Sequence, residues 1–297
     1  MRRLPLRMLS MLALLGAGQA SALYCVPPIT PDPLNLNDVA SVMLNSTQAF
    51  GMTTTKHNTY QGGLLRSVNS KSVTVLPSLS STTKTEQFTS TTAETWQYTP
   101  AGRLTQIDMV FDNTYRPAHI QEKYEYDAQG RLVRVLYKGA PRSAWVTLAT
   151  CSFSPGGVTE HETNVQGFKP RTTVYALDVT GQVTRSTRTM EGHEQDTDVT
   201  TITRGKNGSV TRTENRFINR STPLNVTSTT YNSAGLPVQR VEETYNDAGR
   251  LEDALTTTFE YVLDARGNWT QQLEYISAGG PRQLKSTETR TITYAAP

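Results

Sequence analysis

Two stretches, Y-D-A-Q-G-R-L at residues 126–132 and its near copy Y-N-D-A-G-R-L at 245–251, decide how the chain is read. Each opens on an aromatic residue suited to end a strand, passes through Asp or Asn among small residues, and reaches a glycine. Asp and Asn bond their own backbone in tight turns, and glycine takes φ > 0 at little cost. An apolar residue two places after the glycine then restarts the pairing. The phrase recurs in weaker form as Y-T-P-A-G-R-L from Tyr98, F-S-P-G-G-V from Phe153, L-D-V-T-G-Q-V from Leu177 and R-G-K-N-G-S-V from Arg204. Y-N-S-A-G-L from Tyr231 and L-D-A-R-G-N-W from Leu263 complete the series. Other turn signals fall between these phrases, at 139–141, 167–170, Gly192, 219–223 and 279–281.

Turn signals about every 10–15 residues mark an all-β chain with strands of roughly 8–10 residues. Alternation supports this: Ile107, Met109 and Phe111 share a face, as do Phe259, Tyr261 and Leu263. Residues 157–166 and 182–191 have no apolar face, so those strands are solvated on both sides or wall a wet cavity. The expected fold is a tandem antiparallel β-hairpin meander forming an extended, curved or spiralled repeat sheet. One short N-terminal helix is expected ahead of it: Asn37 caps it, Val39, Val42 and Met43 share a face, and Gly51 ends it.

The serial phrases resemble YD repeats, the units of Rhs proteins and of related toxin shells, across roughly residues 95–270. That resemblance implies a strand-turn-strand spiral of β-sheet. The chain is far shorter than a full shell and shows no toxin-like domain after the repeats, so the resemblance implies the fold without a cargo.

The first residues read as a secretory signal. Arg2, Arg3 and Arg7 precede an apolar run from Met8 to Gly16, and Ala20-Ser21-Ala22 offers a cleavage site. The expected organisation is a signal peptide over 1–22, a Pro-rich lead-in with the helix over 23–52, and the repeat domain over 53–297. Export to the periplasm or the extracellular space follows. The precursor carries 29 basic and 26 acidic residues. Without the three signal arginines the balance is neutral, and no basic face is left for nucleic acid. Cys25 and Cys151 are bound for an oxidising compartment, where one disulfide is the simple reading. Lipid attachment at Cys25 is the alternative, but Tyr24 is too large for the residue before such a site.

No catalytic constellation emerges. Gly-x-Ser-x-Gly is missing, and Asp127, Asp178, Asp247 and Asp264 sit in repeat turns that already explain them. His193 with Asp196 and Asp198 is the nearest approach to a metal set, but it lacks the spacing of an H-E-x-x-H helix or an EF-hand loop. It reads as a solvated hairpin tip, and no metal or cofactor is expected. The aromatic rows are the better lead. Tyr98, Tyr126, Tyr231, Tyr245, Tyr261, Trp269 and Tyr275 recur at similar points in the units, either as the apolar face of the sheet or as a ladder for a polymer. The expected function is non-enzymatic binding of a polysaccharide or an envelope protein through a broad β surface. The alternatives are a self-assembling envelope element and a hydrolase with dispersed carboxylates. Strands polar on both faces break the lipid-facing band of a membrane barrel, so no stable membrane insertion is expected.

Overall fold

A computed structural model describes residues 24–26, 36, 38–49, 51–77, 85–113, 118–140, 142–163 and 169–295. Residues 1–22, expected to be a signal peptide, and the prolines of the expected lead-in lie outside these residues. The first six strands are β1 (Val39–Gln48), β2 (Met52–Gln61), β3 (Leu64–Pro77), β4 (Thr85–Tyr98), β5 (Leu104–Asn113) and β6 (Ala118–Tyr126). Next come β7 (Leu132–Gly139), β8 (Arg142–Ser154), β9 (Gly157–Glu162), β10 (Arg171–Leu177), β11 (Val183–Met190) and β12 (Asp198–Arg204). The last are β13 (Val210–Phe217), β14 (Asn225–Tyr231), β15 (Pro237–Tyr245), β16 (Leu251–Leu263), β17 (Trp269–Ser277) and β18 (Gln283–Tyr294). A 3-10 turn, Glu194–Asp196, lies between β11 and β12.

Every strand pairs antiparallel with the strand before it and the strand after it. The last then returns to the first: β18 runs antiparallel to β1, with Ile292 opposite Val42 and Arg290 opposite Leu44. The 18 strands therefore form one closed up-and-down barrel.

The repeated phrases are its hairpin turns. At Asn232 the side-chain Oδ1 accepts the N–H of Ala234 at 3.0 Å and of Leu236 at 2.9 Å. Asn246, Asp178 and Asp264 make the same pair of bonds to the residues two and four places on. The glycine one residue short of the second donor has positive φ, +80° at Gly181 and +78° at Gly235. The register slips by one residue beside most of these turns, as at Gln97/Tyr98, Glu125/Tyr126, Thr230/Tyr231 and Val262/Leu263. Such bulges bend a strand and raise its twist, and repeated around a sheet they curl it toward closure.

Register sorts the side chains into two faces. One face carries Val42, Val68, Ile107, Val135, Ala149, Glu160, Tyr175 and Phe259, all buried. This is the crowded, luminal side. The opposite face carries Met43, Val110, Val174 and Val262, all exposed, and cross-strand rows such as Thr53–Thr47–Thr287 and Thr55–Asn45–Thr289. Its charges include the pairs His119–Asp108, Arg134–Glu125 and Arg212–Glu214.

Several expectations are corrected here. No open, curved or spiralled sheet exists, because the β1–β18 ladder seals it. The N-terminal helix is β1 instead: Val42 and Met43, expected on one helical face, point to opposite sides of the barrel wall. Pairing on both sides, with β18 and β2, outweighs a short helical pattern. Asn37, its expected cap, lies outside the described residues. Closure also removes the broad open surface on which polysaccharide or partner binding depended, and leaves no strand edge for end-to-end assembly. The exclusion of stable membrane insertion is overturned by the same finding. A ring without edges gives every strand a hydrogen-bonding partner on both sides, the condition strands must meet to cross a bilayer.

Candidate functional site: the luminal wall beside the disulfide

Closure gives the protein an inside. Eighteen strands at the usual spacing and tilt make a ring roughly 35 Å across, wider than side chains can fill. The most developed part of this interior lies on β8 to β13, where Tyr24, Cys25 and Val26 are laid against the wall.

Cys25 is bonded to Cys151 of β8, with Cα atoms 5.6 Å apart. Around this bridge Val26, Val158, Tyr175, Val183, Ile202 and Val210 form a buried apolar cluster, with Tyr24, Phe153 and Leu177 at its margin. Polar groups fix the segment as well. The Cys25 N–H donates to Oε2 of Glu160 at 2.9 Å, and Glu160 is fully buried. The Tyr24 hydroxyl bonds Glu122, which also accepts from the Tyr124 hydroxyl at 2.6 Å. Burial first, then the charges of Glu122, Glu162 and Glu160, hold the Tyr24 phenol far above its ordinary range, so it remains a donor. Glu162 pairs with Arg171 of β10 at 2.5 Å.

Arg171 opens onto a cavity of about 110 Å³ between β10, β11 and β12. Two cross-strand rows line it: Thr173–Arg188–Asp198 and Tyr175–Ser186–Thr200. Arg188 contacts Asp198 at 3.1 Å. Of the lining residues, Ser186 and Arg188 belong to the stretch 182–191, read in sequence as solvated on both sides or walling a wet cavity, whereas Arg171, Thr173, Tyr175, Asp198 and Thr200 lie outside both such stretches. Glu160, at 0 % exposure, is not solvated, and Ser186 and Arg188 wall a cavity. Alternation of Arg171, Thr173 and Tyr175 was the available signal, masked because apolar residues stand on both faces of β10, Tyr175 and Leu177 on one and Val174 and Ala176 on the other.

The aromatic rows divide. Tyr261 stacks on Phe259 at 6.5 Å and meets Trp269 edge-on at 6.2 Å. The guanidinium of Arg240 lies over Phe259 and that of Arg290 over Trp269. Tyr98, under Arg66, and Tyr126 lie on the luminal side of a different arc, and Tyr231 stands apart from both. Tyr245 shares the outer face with Glu243, and Tyr275 the outer face with Glu260. The seven residues therefore do not form one ladder. His193 lies 3.6 Å from Asp196 and also contacts Lys169, whereas Asp198 points into the lumen toward Arg188. Among the described residues no group of three or more His, Cys, Asp or Glu could hold a metal ion.

No protein-family model matches the chain, and no curated protein sequence does either. Among solved structures, a porin-like protein from Bacteroides uniformis is similar at 14% identity and a TM-score of 0.46, over 86% of this chain and 98% of that one. A likeness at that level assigns neither family nor activity.

Proposed function

We infer that the protein is a pore-forming β-barrel of the cell envelope, through whose lumen small polar solutes pass. The observation that carries this reading is the β1–β18 ladder, which turns a meander into a wall with a separate inside. Barrels of this strand number enclose an aqueous channel rather than a packed core. Strands of nine or ten residues, such as β1, β5 and β6, stand roughly 25 Å tall when tilted, near the height of a barrel's lipid-facing band. The luminal side mixes charged groups such as Arg66, Glu94, Arg171 and Arg240 with aromatic ones such as Tyr98 and Tyr261, all partly exposed, as a solute path requires. On this reading the role is passage, with no catalytic step.

The outer face presents threonine rows and paired charges in place of an unbroken apolar belt, so membrane partition is the property to measure first. The test is to express the full chain with its signal, separate the envelope fractions and wash the membranes with alkali. Purified barrel is then added to a planar bilayer. Retention in the washed membrane with stepwise conductance is the expected result. A wholly soluble protein that gives no conductance would overturn the reading.

A further inference from the structure

We propose that the cavity between β10, β11 and β12 is a luminal binding site for a small oxyanion, a carboxylate or phosphate group on a polar solute. The proposal rests on the placement of these residues inside the barrel and not on conduction through it. Two guanidinium groups, Arg171 and Arg188, face a single lining carboxylate, Asp198. Glu162, the partner of Arg171, lies outside the lining. Each arginine spends part of its five-donor fork on one carboxylate contact, and the fork's planar geometry suits bidentate capture of a second oxyanion. Both remain partly open to the lumen, with side chains 31% and 45% exposed.

Hydroxyls complete the chemistry. The register places Ser186 and Thr200 in one row with Tyr175, next to the row that holds Arg188. Such a set offers donors to oxyanion oxygens and acceptors to the neighbouring hydroxyls of a solute. At about 110 Å³, the cavity has room for several waters or for one compact anionic group. The site is built rather than incidental: Tyr175 is 1% exposed, and the wall behind it is the cluster pinned by the Cys25–Cys151 bridge.

The experiment is calorimetric titration of the purified, disulfide-intact barrel with inorganic phosphate and, separately, with acetate, each against a chloride background of equal ionic strength. Saturable binding of at least one probe is expected, and the stronger of the two identifies the oxyanion class. Arg188→Gln should weaken it at least tenfold. If that variant does not keep the β circular-dichroism spectrum of the parent, Ser186→Val with Thr200→Val serves in its place, with an expected loss of threefold or more. Absence of saturation by both probes, or affinity unchanged in the folded variant, would overturn the proposal. Binding without bilayer conductance would retain the site and reject only the pore.

Discussion

The Tyr231 hydroxyl donates to the carbonyl of Val210 at 2.8 Å. Val210 restarts the pairing after the turn that begins at Arg204, so the tyrosine of one hairpin unit is tied to the backbone of the unit before it. Tyr126 does the same to Leu104, also at 2.8 Å. These bonds brace successive hairpins at one rim of the barrel. Tyr294, bonded to Asn268 and Asp264, extends the pattern to the last strand.

Removing a brace tests this arrangement. Tyr231→Phe and Tyr126→Phe keep the ring and delete one partly buried hydrogen bond each, so each should cost about 1 kcal/mol. Denaturant unfolding with an unchanged slope is the readout. Midpoints identical to the parent in both variants would show that the bonds brace nothing.

The disulfide tethers a segment that otherwise rests on one apolar cluster and two carboxylates. Its closed loop, 126 residues in sequence separation, corresponds to roughly 4–5 kcal/mol in the chain-entropy model. Reduction, or Cys25→Ser with Cys151→Ser, should lower the unfolding midpoint and expose the bond region around Tyr24 to limited proteolysis. Free-thiol titration of the unfolded, unreduced protein should find none, and two thiols would contradict the bridge.

Acid sensitivity should come in part from the turns. The Arg131 N–H beside Asp127 holds that carboxyl below its usual range, and the Thr180 hydroxyl and Gln182 N–H do so for Asp178. A depressed folded-state value means that the stabilisation is present above the ordinary carboxylate range, about pH 4. It is lost as pH falls through the lower folded-state value. Asn already fills the equivalent position at Asn232 and Asn246 with the same backbone bonds. Asp127→Asn with Asp178→Asn should therefore match the parent closely at pH 7 and lose less stability than the parent below pH 4. Equal losses in both proteins would remove these carboxylates from the acid response.

Two glycines separate backbone strain from crowding. Gly181 has φ +80° and open space where a Cβ would sit, so Gly181→Ala carries only the left-handed penalty of about 1–2 kcal/mol. Gly249 has φ +73°, and its Cβ would stand 2.7 Å from Thr222 Cγ2, adding a clash. Gly249→Ala should therefore be the more damaging of the two in thermal unfolding. The reverse order would mean that the turn at 246–250 yields more easily than its contacts imply.

The hairpins were legible in the residues because their causes are local. An Asp or Asn that bonds two N–H groups within four residues, followed by a glycine free to take positive φ, specifies its turn wherever it occurs. The bridging of Cys25 and Cys151 was readable for a similar reason, two cysteines with no other partners among the described residues. Closure was not legible. It depends on twist and bulges accumulated over 18 strands and on a ladder that joins residues such as Val42 and Ile292 from opposite ends of the chain. Neighbouring residues do not encode that pairing. The same gap explains the helix expected at β1, where partners from β18 and β2 decide the backbone. It also explains the aromatic rows: the phrases at Tyr231 and Tyr245 are alike in sequence, yet adjacent hairpins place them at opposite rims, one ring luminal and the other outward. The local sequence determined which residues turn and which extend. The tertiary structure alone decided which side is inside, because an inside exists only once the last strand meets the first.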